Sequence, residues 1–125
     1  MQHKLQVMSD IQRIYHNDFG IAFQWKQDLA KNKHNHFQVI FRDTGFYLSL
    51  SQLESFSKLV QRAANRNCCN DCKANANCRA ILLKTPATEV DLAVSRDELE
   101  SISDLIEGTL FQIKLDRYLK GVCCN

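Results

Sequence analysis

The chain has 125 residues, 45% of them hydrophobic, with 16 basic and 14 acidic side chains and a formal net charge of +2. That length suits one domain, 1–125, with a core of its own, and a single proline with four glycines leaves little room for linkers or low-complexity tails. The near balance of charge argues against nucleic-acid binding by electrostatics, and the sequence has no apolar run of the roughly 20 residues that a membrane span needs.

The start Met1-Gln2-His3-Lys4-Leu5 lacks the apolar stretch of a secretion signal, so a cytoplasmic location is expected. Ile11 to Tyr15 and Gly20 to Trp25 read as a hairpin turning at Asn17-Asp18-Phe19-Gly20, followed by a polar loop from Lys31 to Asn35. A second hairpin runs through His36–Arg42, a turn at Asp43-Thr44-Gly45, and the alternating strand Phe46–Leu50, with Gly45 suited to positive φ. Ser51 and Glu54 have capping-box spacing and predict a helix from about Gln52, burying Leu53, Phe56, Leu59, Val60 and Ala63.

After a Cys-rich loop over 67–78 the same order returns. Arg79–Lys84 and Val90–Val94 read as strands around the turn Thr85-Pro86-Ala87-Thr88, and Ser95 with Glu98 predicts a helix from Arg96. Its buried face is Leu99, Ile102, Leu105 and Ile106. With a two-residue gap, residues 48–60 and 92–106 share Leu-x-φ-Ser and then Leu-Glu-Ser-φ-Ser-x-Leu-φ, where φ is apolar. This suggests an internal repeat of 37–64 and 79–107. Gly108 is placed to stop the helix, and Phe111, Leu115, Tyr118, Leu119 and Val122 then recur at helical spacing. Phe111, Ile113 and Leu115 also alternate as a strand would; a further C-terminal helix is preferred. The expected class is α+β: an antiparallel sheet from two repeated strand–strand–helix units, helices on one face, and an extra C-terminal helix.

The six cysteines carry most of the chemistry. Cys68, Cys69, Cys72 and Cys78 fall within eleven residues, and Cys123 and Cys124 lie at the end. In a reducing compartment such clusters bind metal or act in thiol chemistry more often than they form disulfides. Cys69 and Cys72 have the C-x2-C spacing that lets one turn present two thiolates to an ion at about 2.3 Å. A tetrahedral zinc site would be completed by Cys78 and Cys123, with Cys68 and Cys124 as alternatives, because adjacent side chains diverge. An iron–sulfur cluster needs four thiolates as well and is the second cofactor choice. Redox-active thiols and plain reduced cysteines are the competing readings.

Other candidates have plainer explanations. His34 and His36 form an H-x-H pair but read as solvated loop residues, as does His16. Phe19, Phe23 and Trp25 suit a core better than a binding pocket. Lys26, Lys31, Lys33, Arg42, Arg62 and Arg66 read as scattered surface charge rather than a nucleic-acid face. Tyr15 to Gly20, the strand pair from Phe37 to Leu50 and the following Ser-Gln-Leu-Glu-Ser-Phe resemble small bacterial proteins grouped as a domain of unknown function. The resemblance covers about half the chain and assigns no site residues. The function expected is therefore a non-enzymatic interaction or regulatory module with a Cys-ligated metal, its partner another protein or a second copy. The alternative is a thiol-based redox sensor or enzyme.

Overall fold

The computed structural model describes residues 10–31, 35–66 and 78–123. Strands β1 (Ile11–His16), β2 (Gly20–Trp25), β3 (His36–Phe41) and β4 (Thr44–Ser49) form an antiparallel meander in sequence order, and β5 (Ile81–Lys84) pairs with β6 (Asp91–Val94) in a separate ribbon. Helix α1 (Lys26–Ala30) follows β2, α2 (Leu50–Asn65) follows β4, and α3 (Arg96–Cys123) follows β6. The class is α+β, as expected. The single expected sheet is two sheets, since among the described residues β5 and β6 pair only with each other. The five residues of α1 were not foreseen.

Alternation builds the meander. Phe37, Val39 and Phe41 of β3 are buried, while His36, Gln38 and Ile40 between them are half-buried on the other face. The core face receives α2 through Leu53, Phe56, Val60 and Ala63, and α3 through Leu99, Ile102, Leu105, Ile106, Leu110 and Ile113. Leu83 and Val94 bring the β5–β6 ribbon into the same core. The β5–β6 turn forms where Pro86 predicted it, with the buried Thr85 hydroxyl donating to the carbonyls of Ala87 and Val90.

Three local expectations are corrected. The turn between β3 and β4 falls at Arg42-Asp43, Gly45 lies inside β4, and Arg42 carries the positive φ of 54°. A non-glycine residue in that region costs on the order of 1 kcal/mol, and Arg42 is held there by an ion pair to Glu98 at 2.6 Å. Next, α2 begins two residues early. Ser49 is its cap: the Gln52 N–H donates to Ser49 Oγ at 3.2 Å and the Ser49 N–H donates to Gln52 Oε1 at 2.9 Å. Both starts bury the same helix face, so periodicity could not separate Ser49 from Ser51. With Ser49 as the cap, Ser95, Leu99, Ile102, Leu105 and Ile106 each follow Ser49, Leu53, Phe56, Leu59 and Val60 by 46 residues, and the two-residue gap disappears.

Finally, Gly108 does not end a helix, and the expected extra helix is the second half of α3, which runs unbroken for 28 residues. The strand alternative for 111–115 falls with it. Gly108 is a packing position. A register shift between Arg13 and Tyr15 sets Tyr15 opposite Ala22, on the core side of β1, and a Cβ on Gly108 would come within 2.3 Å of the Tyr15 ring. The Tyr15 hydroxyl donates to Asp104 Oδ2 at 3.0 Å, and Asn17 Nδ2 donates to the same oxygen at 2.9 Å. That bond raises the Tyr15 pKa above its ordinary value, with desolvation adding to it.

Gly108→Ala should improve local helix propensity by about 1 kcal/mol yet lower stability by about 1–3 kcal/mol through overpacking against Tyr15. Chemical denaturation of G108A, Y15A and the double variant checks this. The two changes should be strongly non-additive, with G108A neutral or stabilising once the ring is gone.

Candidate functional site

Two of the expected metal ligands, Cys78 and Cys123, lie among the described residues, and the fold keeps them apart. Cys78 is half-buried with a free thiol, one residue before Arg79, whose guanidinium donates to Glu98 in the first turn of α3. Cys123 lies 25 residues beyond Glu98 on that helix, about 37 Å away at 1.5 Å per residue. Ligands to one zinc each sit about 2.3 Å from it, so Cys78 and Cys123 cannot share an ion within one chain. Of the expected set, only Cys78 and Cys123 lie among the described residues, and that pair is held apart. Cys68, Cys69, Cys72 and Cys124 lie outside the described residues. Among the described residues, no three His, Cys, Asp or Glu side chains converge as a cation site.

The histidines and aromatics are also redistributed. His36 is not a loop residue: it opens β3 and stacks on Tyr47 at 5.2 Å. His16 is exposed, and His34 lies outside the described residues. Phe19 stacks on Phe41 against the main core. Phe23 is buried on the opposite face of the sheet, edge-on to Trp25 at 5.0 Å. That outer face is tied by Trp25 Nε1 donating to Gln38 Oε1 at 3.2 Å and by the Tyr47 hydroxyl donating to Asp28 of α1 at 2.6 Å. The Asp28 bond raises the Tyr47 pKa, helped by desolvation. Phe19, Phe23 and Trp25 thus do not frame one pocket. Arg42 is engaged by Glu98, and Lys31 lies beyond the other end of β3.

Two features emerge that sequence reasoning missed. The first is a polar junction at Glu98. Its Oε1 accepts from the Ser95 N–H at 2.9 Å and from Arg79 Nε at 3.1 Å, its Oε2 accepts from Arg42 at 2.6 Å, and its own N–H donates to Ser95 Oγ at 3.1 Å. Burial pushes the Glu98 pKa up. The Ser95 N–H, the Arg79 hydrogen bond and the charges of Arg42 and Arg79 outweigh that and leave it below the ordinary value. The Ser95–Glu98 spacing marked the cap, but its two arginine partners come from residues 56 positions before and 19 before, which no local pattern reports.

The second feature is on α3. Its core side continues through Leu110 and Ile113, both buried, while Phe111, Tyr118 and Leu119 are 63%, 68% and 47% exposed. Phe111 and Tyr118 are seven residues apart and so share one side, whereas Ile113 lies roughly 200° round the helix from Phe111. Leu115, half-buried, sits between the exposed pair and Leu119. The second half of α3 therefore has two apolar sides and buries one. Beside Phe111, a groove of about 410 Å³ separates α2 from α3, lined by Glu54, Lys58, Gln61, Glu107 and Lys114 among others. The buried Ser57 hydroxyl donates to Glu107 at its base. The signal for this second side is present in the sequence: 111, 115, 118 and 119 recur at helical spacing, a pattern that specifies a helix without telling which of its sides is covered.

Among the described residues no helix is long and apolar enough to cross a membrane. No protein-family model matches the chain, and neither the curated proteins nor the solved structures give a match.

The depressed Glu98 pKa fixes a sign. Glu98 contributes stability above its unfolded value of about 4.3, and that contribution is lost as pH falls through the lower folded value. The Tm difference between wild type and Glu98→Gln should be largest near neutral pH and shrink as pH drops below about 4. A difference independent of pH between 7 and 3 would show that the charge on Glu98 does not matter.

Proposed function

We propose that this protein is a non-enzymatic interaction module that engages another protein through the outward side of α3 and carries a structural zinc in its Cys-rich segment. The observation that carries the first part is the exposure of Phe111, Tyr118 and Leu119 on a helix whose opposite side is already in the core. A helix apolar on more than one side is usually covered on more than one side, and contiguous exposed apolar patches of a few hundred Å² are often functional. For the metal, support comes from spacing: Cys68, Cys69, Cys72 and Cys78 fall within eleven residues, whereas Cys123 is a helix length away from Cys78. The ligand set is then drawn from those four, with the tail cysteines left out. Thiolate ligation fits a reducing, cytoplasmic setting, and the bound ion would add its binding energy to folding.

A photo-reactive residue at Tyr118 should cross-link to protein in cells far more than the same group at Leu82, which is 60% exposed on the β5–β6 ribbon. Equal yields from both positions would remove the interaction reading. For the metal, elemental analysis of protein from rich medium should find about one zinc per chain. Cys69→Ser and Cys72→Ser should lose it, and Cys123→Ser with Cys124→Ser should keep it. Less than about a tenth of an equivalent, or iron in place of zinc, would overturn the zinc assignment.

A further inference from the structure

We infer that the outward side of α3 pairs with the same side of a second copy of this chain, the two helices running antiparallel about a two-fold axis near Leu115. This rests on the interaction reading above and commits it to one occupant. Phe111 and Leu119 stand four residues on either side of Leu115. In an antiparallel pair centred there, Phe111 meets the partner's Leu119, Leu115 meets the partner's Leu115, and Leu119 meets the partner's Phe111. An isologous interface requires this self-complementary spacing, and the layering is that of antiparallel helices packed along one seam.

Area supports the same choice. With Phe111, Tyr118 and Leu119 exposed by 63%, 68% and 47%, one copy presents roughly 300 Å² of apolar side chain. Two copies bury roughly 600 Å², and with the usual apolar share near 60% the whole interface comes to about 1,000 Å². That is the threshold for a specific protein–protein contact and the range of weak, reversible ones. The flanking Lys114 and Asp116 are both exposed, on opposite sides of the stripe. In this pairing each lies on the same side as its own copy in the partner, so added salt should screen repulsion and leave association unchanged or tighter. A surface built for an acidic protein or an anionic membrane would respond in the opposite sense.

Sedimentation of the purified full chain over a concentration series tests this. Wild type should pass from monomer to dimer between about 1 and 500 µM, the weak range expected at this area. Tyr118→Glu should weaken association by at least tenfold, while Leu82→Glu should not. Tyr118 is on the far side of the helix from the core, so Y118E should keep the wild-type Tm; if it does not, Phe111→Ser gives a second, milder variant for the same reading. A photo-reactive group at Leu115 should form adducts between two chains that map to residues 111–119. Monomeric behaviour throughout, loss of association on adding salt, or adducts confined to one chain would each overturn the second copy. If the protein stays monomeric while Tyr118 cross-links a foreign protein, only the second copy falls; if neither occurs, the interaction reading falls with it.

Discussion

Glu98 joins three distant parts of the chain at one carboxylate. Through Ser95 it starts α3, through Arg42 it holds the β3–β4 turn, and through Arg79 it anchors the chain just after the Cys-rich segment. Exposed ion pairs taken singly contribute little. This one is mostly shielded, with the Glu98 side chain only 14% exposed, and shares its acceptor with a helix cap. Removing the carboxylate would leave the cap, the left-handed Arg42 and the approach to β5 without a common partner.

The start of α3 determines much that follows. A 28-residue helix anchored at Ser95 must pass Tyr15 at Gly108 and then run on, with Ile113 the last of its buried residues among those described. Glycine at 108 lets the Tyr15 ring lie against the backbone. The weak helix propensity of glycine is offset by that packing and by the helix on both sides. The same continuity presents Phe111, Tyr118 and Leu119 to solvent and carries Cys123 far from Cys78. The exposed apolar side and the separation of Cys123 from Cys78 thus have one cause.

Much of the secondary structure was legible, because alternation in β1 to β6 and the apolar faces of α2 and the first half of α3 are local patterns tied to burial. The misses were local as well. Ser49 and Ser51 both offer a hydroxyl before the same helix face, and Gln52 serves as well as Glu54 for the return bond. Gly108 has the chemistry of a stop signal, and only the Tyr15 ring above it explains a glycine in mid-helix. At the candidate sites, cysteine spacing could nominate ligands but not measure the length of helix between Cys78 and Cys123. Phe111, Leu115, Tyr118 and Leu119 were recognised as a helical stripe, and whether that stripe lay inside or outside depended on what else was packed nearby.

Taken alone, the sequence determined the α+β class, the order of the six strands and where the two long helices follow them, the Ser95–Glu98 cap and most of the core. Each depends on residues close together or on a repeating period of burial. Tertiary structure alone decided that two sheets form rather than one, that Arg42 and Arg79 meet at Glu98, that Gly108 receives Tyr15, and that half of α3 turns a second apolar side outward. These depend on which surfaces meet across long sequence separations, and a periodic pattern specifies that a face is apolar without specifying what covers it.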